Sequence, residues 1–121
     1  MVEATEREVH VYVTTDGRSP FEDWLTNLRD KRAKAKVLSR LDRVRLGNLG
    51  DCRGLQEGVS ELRIDQGPGY RVYFGQHGAV VVILLCGGDK RTQSRDIETA
   101  LEYWKEFRNH ADEALRRSTD Q

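Results

Sequence analysis

Val80 to Leu85 is a run of six apolar residues without a charge. A strand exposed on one face alternates polar and apolar side chains, so an unbroken run of this kind suits a strand covered on both faces. A helical membrane span needs about 20 apolar residues, so the run is far too short to be one. A chain built around such a strand must bring other elements to both of its sides. The two segments before it alternate instead: Leu62 and Ile64 stand between Glu61, Arg63 and Asp65, and Val72 and Phe74 between Arg71, Tyr73 and Gly75. Gly67-Pro68-Gly69 separates them and reads as a turn, with glycine supplying positive φ and proline fixing φ. With those three residues as the loop, Ile64 pairs with Val72, Leu62 with Phe74, Arg63 with Tyr73 and Asp65 with Arg71. A slip of one residue would put Arg71 opposite Ile64 and mix the faces. The ribbon therefore has one apolar face and one face carrying Glu61, Arg63, Asp65, Arg71 and Tyr73. Arginines beside an aromatic on a rigid sheet suit an anionic ligand; a solvated face with cross-strand ion pairs is the alternative.

The remaining elements follow in order. Met1 to Arg7 is expected to fray. Glu8 to Thr14 alternates, with Val9, Val11 and Val13 on one side, and reads as a strand. His10 sits on a strand face with no second metal ligand at a useful spacing. Ser19-Pro20-Phe21-Glu22 is a helix start: a capping serine, proline at the first helical position and an acid three residues after the cap. Phe21, Trp24, Leu25 and Leu28 follow at helical spacing. A second helix runs from about Lys31 to Leu46, with Ala33, Val37, Leu41 and Val44 as its apolar stripe and Gly47-Asn48 as its stop. Its other faces hold Lys36, Arg40 and Arg43 among further cations, which suits either a solvated face or a surface that tracks a nucleic-acid backbone. Leu49 to Ser60 reads as a glycine-rich connector, Gln76-His77-Gly78 as a tight turn, and Gly87 to Arg91 as a flexible basic loop. Thr92 or Ser94 caps a last helix with Ile97, Ala100, Leu101, Trp104 and Phe107 as its stripe. Ala111, Ala114 and Leu115 can extend it into the polar tail.

The chain has 121 residues, the size of one domain with a single core, here about residues 8–107. Its net charge is zero, but residues 29–95 hold fourteen Lys and Arg against seven Asp and Glu, and the rest of the chain reverses the sign. A basic middle between acidic ends fits a compact nucleic-acid binder, while the neutral total argues against purely electrostatic binding. Cys52 and Cys86 are too few and too far apart for a disulfide framework or a metal site, so a reducing cytoplasm is the expected setting. No signal peptide or membrane segment is evident.

Several segments together resemble the RelE/ParE superfamily of type II toxin–antitoxin toxins, nearest its phage-Gp49-like and HigB-like "addiction module killer protein" branch. They are Phe21 to Leu25, Arg40-Leu41, Gly47 to Asp51, Gly58 to Ile64, Gly67 to Phe74 and Leu84 to Lys90. The resemblance spans roughly residues 8–107 and implies a small α+β fold of order β-α-α-β-β-β-α: a mostly antiparallel sheet, a helical pair on one face and a C-terminal helix. It further implies a cytoplasmic, metal-independent mRNA endoribonuclease without cofactor. Such a toxin acts with the ribosome and is neutralised by an antitoxin, expected to be a helix-turn-helix protein of the same operon.

By that resemblance Arg63 and Arg71 bind the scissile phosphate. Lys90 and Arg91 hold flanking phosphates, with Arg40 and Arg43 on the basic helix. Tyr73 stacks on a base or assists proton transfer. Glu61 is the carboxylate for a general base, with Asp96 or Gln93 as weaker candidates, and Gln93 also counts among the RNA-binding residues. A histidine acid–base pair is not expected, because no histidine lies between His77 and His110. Two other readings stay open: a DNA gyrase inhibitor like the ParE branch, and a non-catalytic nucleic-acid-binding module.

Overall fold

The structure, a computed structural model, describes residues 6–119, with side chains described as far as Ala111. Its elements in chain order are β1 (Glu8–Val11), α1 (Pro20–Asn27), α2 (Lys31–Arg45), β2 (Cys52–Gly54), β3 (Val59–Ile64), β4 (Tyr70–His77), β5 (Val81–Asp89), a single 3₁₀ turn (Lys90–Thr92) and α3 (Gln93–Thr119). The strands form one sheet in the order β1-β5-β4-β3-β2. Only the β1–β5 pair is parallel. The expected α+β order holds, with one added strand: Cys52 to Gly54, read from sequence as connector, pairs along β3.

The apolar run is buried on both sides. Val82 and Leu84 join Leu62, Ile64, Val72 and Phe74 in a core closed by Phe21 of α1 and by Val37, Leu41 and Val44 of α2. Ile83, Leu85 and Cys86 join Val59 and Tyr73 in a second core beneath Ala100 and Trp104 of α3. A bulge allows neighbouring Leu85 and Cys86 to share that side: Tyr73 pairs with Cys86 but Phe74 with Leu84, leaving Leu85 as the extra residue. The expected helical stripes are the ones that pack. Ser19 Oγ accepts from Glu22 N at 3.3 Å with Pro20 next to it. Gly47, at φ +94°, ends α2 by directing its N–H to Val44 O while Asn48 N reaches Arg43 O.

Four expectations need correction. The hairpin loop is five residues, Asp65 to Gly69, so Ile64 faces Tyr70, Leu62 faces Val72, Arg63 faces Arg71 and Glu61 faces Tyr73. The shift is two residues, which preserves which face each side chain occupies. Second, β1 stops at Val11; Tyr12 turns into the α3 core, stacked on Tyr103 at 5.0 Å, and Val13 is exposed. Third, Gly87 to Asp89 is strand rather than loop, and a 3₁₀ turn capped by Asp89, with Thr92 completing its capping box, leads into α3. Fourth, His77 ends β4, and the reversal falls at residues 78–80. Of the fraying expected of Met1 to Arg7, Met1 to Thr5 fall outside the described residues, whereas Arg7 is tied to the end of α2, its N–H to Arg45 O at 2.9 Å and its Nη1 to Gly47 O at 3.0 Å. The last helix does extend through Ala111, Ala114 and Leu115.

Candidate functional site

β2, β3 and β4 each bring one arginine to the same part of the sheet. Arg53 lies opposite Glu61, and Arg63 directly opposite Arg71. Opposed like charges destabilise a sheet, so this pairing needs a counter-charge. Glu61 supplies it. One oxygen of its buried carboxylate lies 3.4 Å from Arg63 Nε, 3.5 Å from Arg71 Nε and 3.9 Å from Arg53 Nη2. The other oxygen accepts Gln93 Nε2 at 2.9 Å, from the first turn of α3. Burial pushes the Glu61 carboxyl up. The Gln93 hydrogen bond and the charges of Arg71, Arg53 and Arg63 outweigh that and hold it below the usual carboxylate range. Glu61 is therefore ionised at neutral pH and, with none of its surface exposed, has no access to a ligand in the cleft. Its geometry suits holding guanidinium groups rather than accepting a substrate proton, which requires hydrogen-bond reach and a pKa near the working pH.

The arginines border an open cleft of about 710 Å³, also lined by Tyr70, Lys90 and Gln93. Arg71 is nearly buried and anchored by Nη1 to Gly69 O at 3.0 Å, whereas the Arg63 and Arg53 side chains are 42% and 53% exposed. Three guanidiniums against one buried carboxylate, with Lys90 added, leave the cleft an excess of positive charge despite Asp51 and Asp65 in its lining. Gln93 and Ser94 reach it from the first turn of α3.

Other residues singled out from sequence are placed differently. Tyr73 is buried under α3, and burial, with Glu61 and Asp96 nearby, raises its pKa. It belongs to the core beneath α3, does not line the cleft, and has no exposed ring face on which a base could stack. The aromatic that does line the cleft is Tyr70, edge-on to Trp24 at 6.4 Å. Its parity put it on the apolar face, and only its position at the end of the ribbon, after the glycine turn, could have marked it. Arg53 was missed because β2 was. Arg40 is occupied internally: its guanidinium donates to the carbonyls of Arg63, Leu49 and Asp51 and fixes the entry of the β2–β3 ribbon. Arg91 pairs with Asp89 at 3.0 Å in the turn before α3 and does not line the cleft. Asp96 accepts from the Thr92 hydroxyl and packs over Gly88, an anchor for the helix start. Arg43 is exposed on α2, away from the cleft. Burial pushes the Cys86 thiol up to about 12, far from a reactive thiolate.

Residues 23–115 match the family model of the phage derived protein Gp49-like proteins (DUF891). The chain belongs to this Gp49-like family. The match runs from α1 into α3 and contains every residue that lines the cleft. An uncharacterised protein of Haemophilus influenzae is similar to this Gp49-like chain, 52% identical over 80 residues, which make up 66% of the chain and 81% of that relative. Among the described residues of the Gp49-like domain, no helix is long and apolar enough to cross a membrane, and no group of three His, Cys, Asp or Glu could hold a metal ion.

Proposed function

We propose that this chain is the toxin of a type II toxin–antitoxin system and cuts mRNA by a metal-independent route. The observation that carries the reading is the directly opposed pair Arg63 and Arg71, held over one buried carboxylate at the edge of an open, positively charged cleft. Membership of the Gp49-like family, which is associated with toxin–antitoxin modules, supports the context. The finer placement in the RelE/ParE superfamily, near its HigB-like branch, rests on the sequence motifs. On this reading the partners are ribosome-bound mRNA and a helix-turn-helix antitoxin from the same operon, met in the cytoplasm.

The reaction needs a 2′-hydroxyl to attack the adjacent phosphorus while the P–O5′ bond breaks, leaving a 2′,3′-cyclic phosphate and a 5′-hydroxyl. Charge accumulates on the non-bridging oxygens as the fifth bond forms. The exposed Arg63 fork meets those oxygens, and Arg71, fixed by Gly69 and Glu61, presents its charge from behind. Preorganised donors of this kind are worth roughly 10²–10³ in rate each. Tyr70 offers a ring to a flanking base and Lys90 a charge to a flanking phosphate. With Glu61 sealed away, Asp51 and Asp65 are the carboxylates on the cleft surface, and the proton-accepting role falls to them or to solvent.

Induction of the chain followed by primer extension on a translated message tests the reading. New 5′ ends within the message support it. Intact messages with lost DNA supercoiling would make the chain a gyrase inhibitor instead, and intact messages with salt-sensitive RNA binding a non-catalytic module.

A further inference from the structure

Beyond the arginine cleft, a second concavity of about 240 Å³ lies on the α2 side of the sheet, lined by Lys36, Ser39, Arg40, Arg43, Ile64 and Asp65. Positions 36, 39, 40 and 43 recur at helical spacing and so form one stripe on α2. The two concavities share Ile64 and Asp65, the end of β3 and the first residue of the hairpin loop. Cleft and groove thus meet around the end of one strand. The groove is below the roughly 300–1,000 Å³ of an independent small-molecule pocket. Its size suits an extension of the neighbouring cleft rather than a separate ligand.

The charges in the groove divide by task. Arg40 is spent on three backbone carbonyls and shapes the wall. Lys36 Nζ is 2.9 Å from Asp65 O and keeps other donor positions open to solvent. Arg43 is exposed and makes no side-chain hydrogen bond or ion pair among the described residues; Ser39 adds an exposed hydroxyl. Against these donors stands the Asp65 side chain, at the junction with the cleft.

We propose that Lys36, Ser39 and Arg43 form a second phosphate subsite. It would hold the single-stranded RNA flanking the nucleotide seated between Arg63 and Arg71, so that the strand bends around the end of β3. This extends the nuclease reading and rests on it.

Binding of synthetic oligoribonucleotides, from a dinucleotide to an octanucleotide, tests the proposal. The wild-type chain and the double variant Lys36→Ala with Arg43→Ala are compared over a salt series. In the wild type, affinity rises with length, and the salt dependence steepens by about 0.7 in log–log slope for each phosphate engaged. In the variant the gain with length shrinks about three- to tenfold, the scale of two exposed ion pairs, and the octanucleotide slope falls by about 1.4. If the variant gains affinity with length as steeply as the wild type, the second subsite is wrong and the arginine cleft stands. If the wild type binds no oligonucleotide of any length, the second subsite falls, while the nuclease reading is decided separately by primer extension on the translated message.

Discussion

Three guanidinium groups within 3.9 Å of one carboxylate oxygen would repel one another if that carboxylate were neutral. Glu61→Gln makes this change with little change in shape. Because two of the three arginines are half-exposed and screened, the expected loss of stability is about 2–3 kcal/mol, below that of a fully buried ion pair. The pH dependence follows from the direction of the Glu61 shift. Its folded pKa is depressed, so the stability it contributes is complete above the unfolded glutamate value of about 4.3 and is lost as pH falls through the folded value. Urea unfolding of wild type and Glu61→Gln should therefore differ by a constant amount well above the unfolded glutamate value of about 4.3 and converge as pH falls through the folded Glu61 value, which lies below the usual carboxylate range. A gap that widens in acid would contradict the assignment. The two opposed arginines should also separate: Arg63→Ala should lose activity with stability nearly intact, whereas Arg71→Ala, nearly buried, should lose both. At this scale the sequence showed which face each charge occupies, because strand parity survives a two-residue register error. It did not show that Glu61 and Tyr73 would be covered. That depends on where α3 lies, which strand alternation does not encode.

Close packing between elements is set by glycines at which a Cβ would collide with a neighbour. A Cβ on Gly75 would enter the ring of Trp104, one on Gly87 the ring of Trp24, and one on Gly88 the Asp96 carboxylate. Trp104 cannot swing away cheaply, since its Nε1 donates to Glu57 O at 2.8 Å and its ring stacks on Phe107 at 5.3 Å. Gly75→Ala should cost about 1–3 kcal/mol, the range for overpacking a core, measured as a shift in guanidinium midpoint. Gly88→Ala should push the first turn of α3 outward, withdraw Gln93 from Glu61 and reduce activity more than stability. Comparing its cleavage rate with its unfolding midpoint checks this. The same glycines explain two sequence misreadings. Gly87-Gly88 has the composition of a flexible loop, yet here the missing side chains admit Trp24 and Asp96 against a strand. Likewise, Gly67-Pro68-Gly69 marked the turn correctly, with Gly67 and Gly69 at φ +53° and +81°, but pairing begins only at Ile64 and Tyr70, so the loop extends to Asp65.

Over the whole molecule, the basic middle of the chain divides between two sides of one sheet: the arginine cleft beside α3 and the stripe on α2. The α+β order, the doubly covered strand and the helical stripes were legible because burial imposes periodicity on sequence. The short β2 was not, since three residues among glycines carry no pattern, and with it Arg53 was lost to view. The central claim is that Arg63 and Arg71 grip one phosphodiester and stabilise its cleavage. The most direct measurement is single-turnover cleavage of a ribosome-bound message by purified wild type, Arg63→Ala and Arg71→Ala, with the product ends identified. The expected result is a 2′,3′-cyclic phosphate from the wild type and rates lowered roughly 10²–10³-fold in each variant that remains folded. Folded variants that cut as fast as the wild type would contradict it.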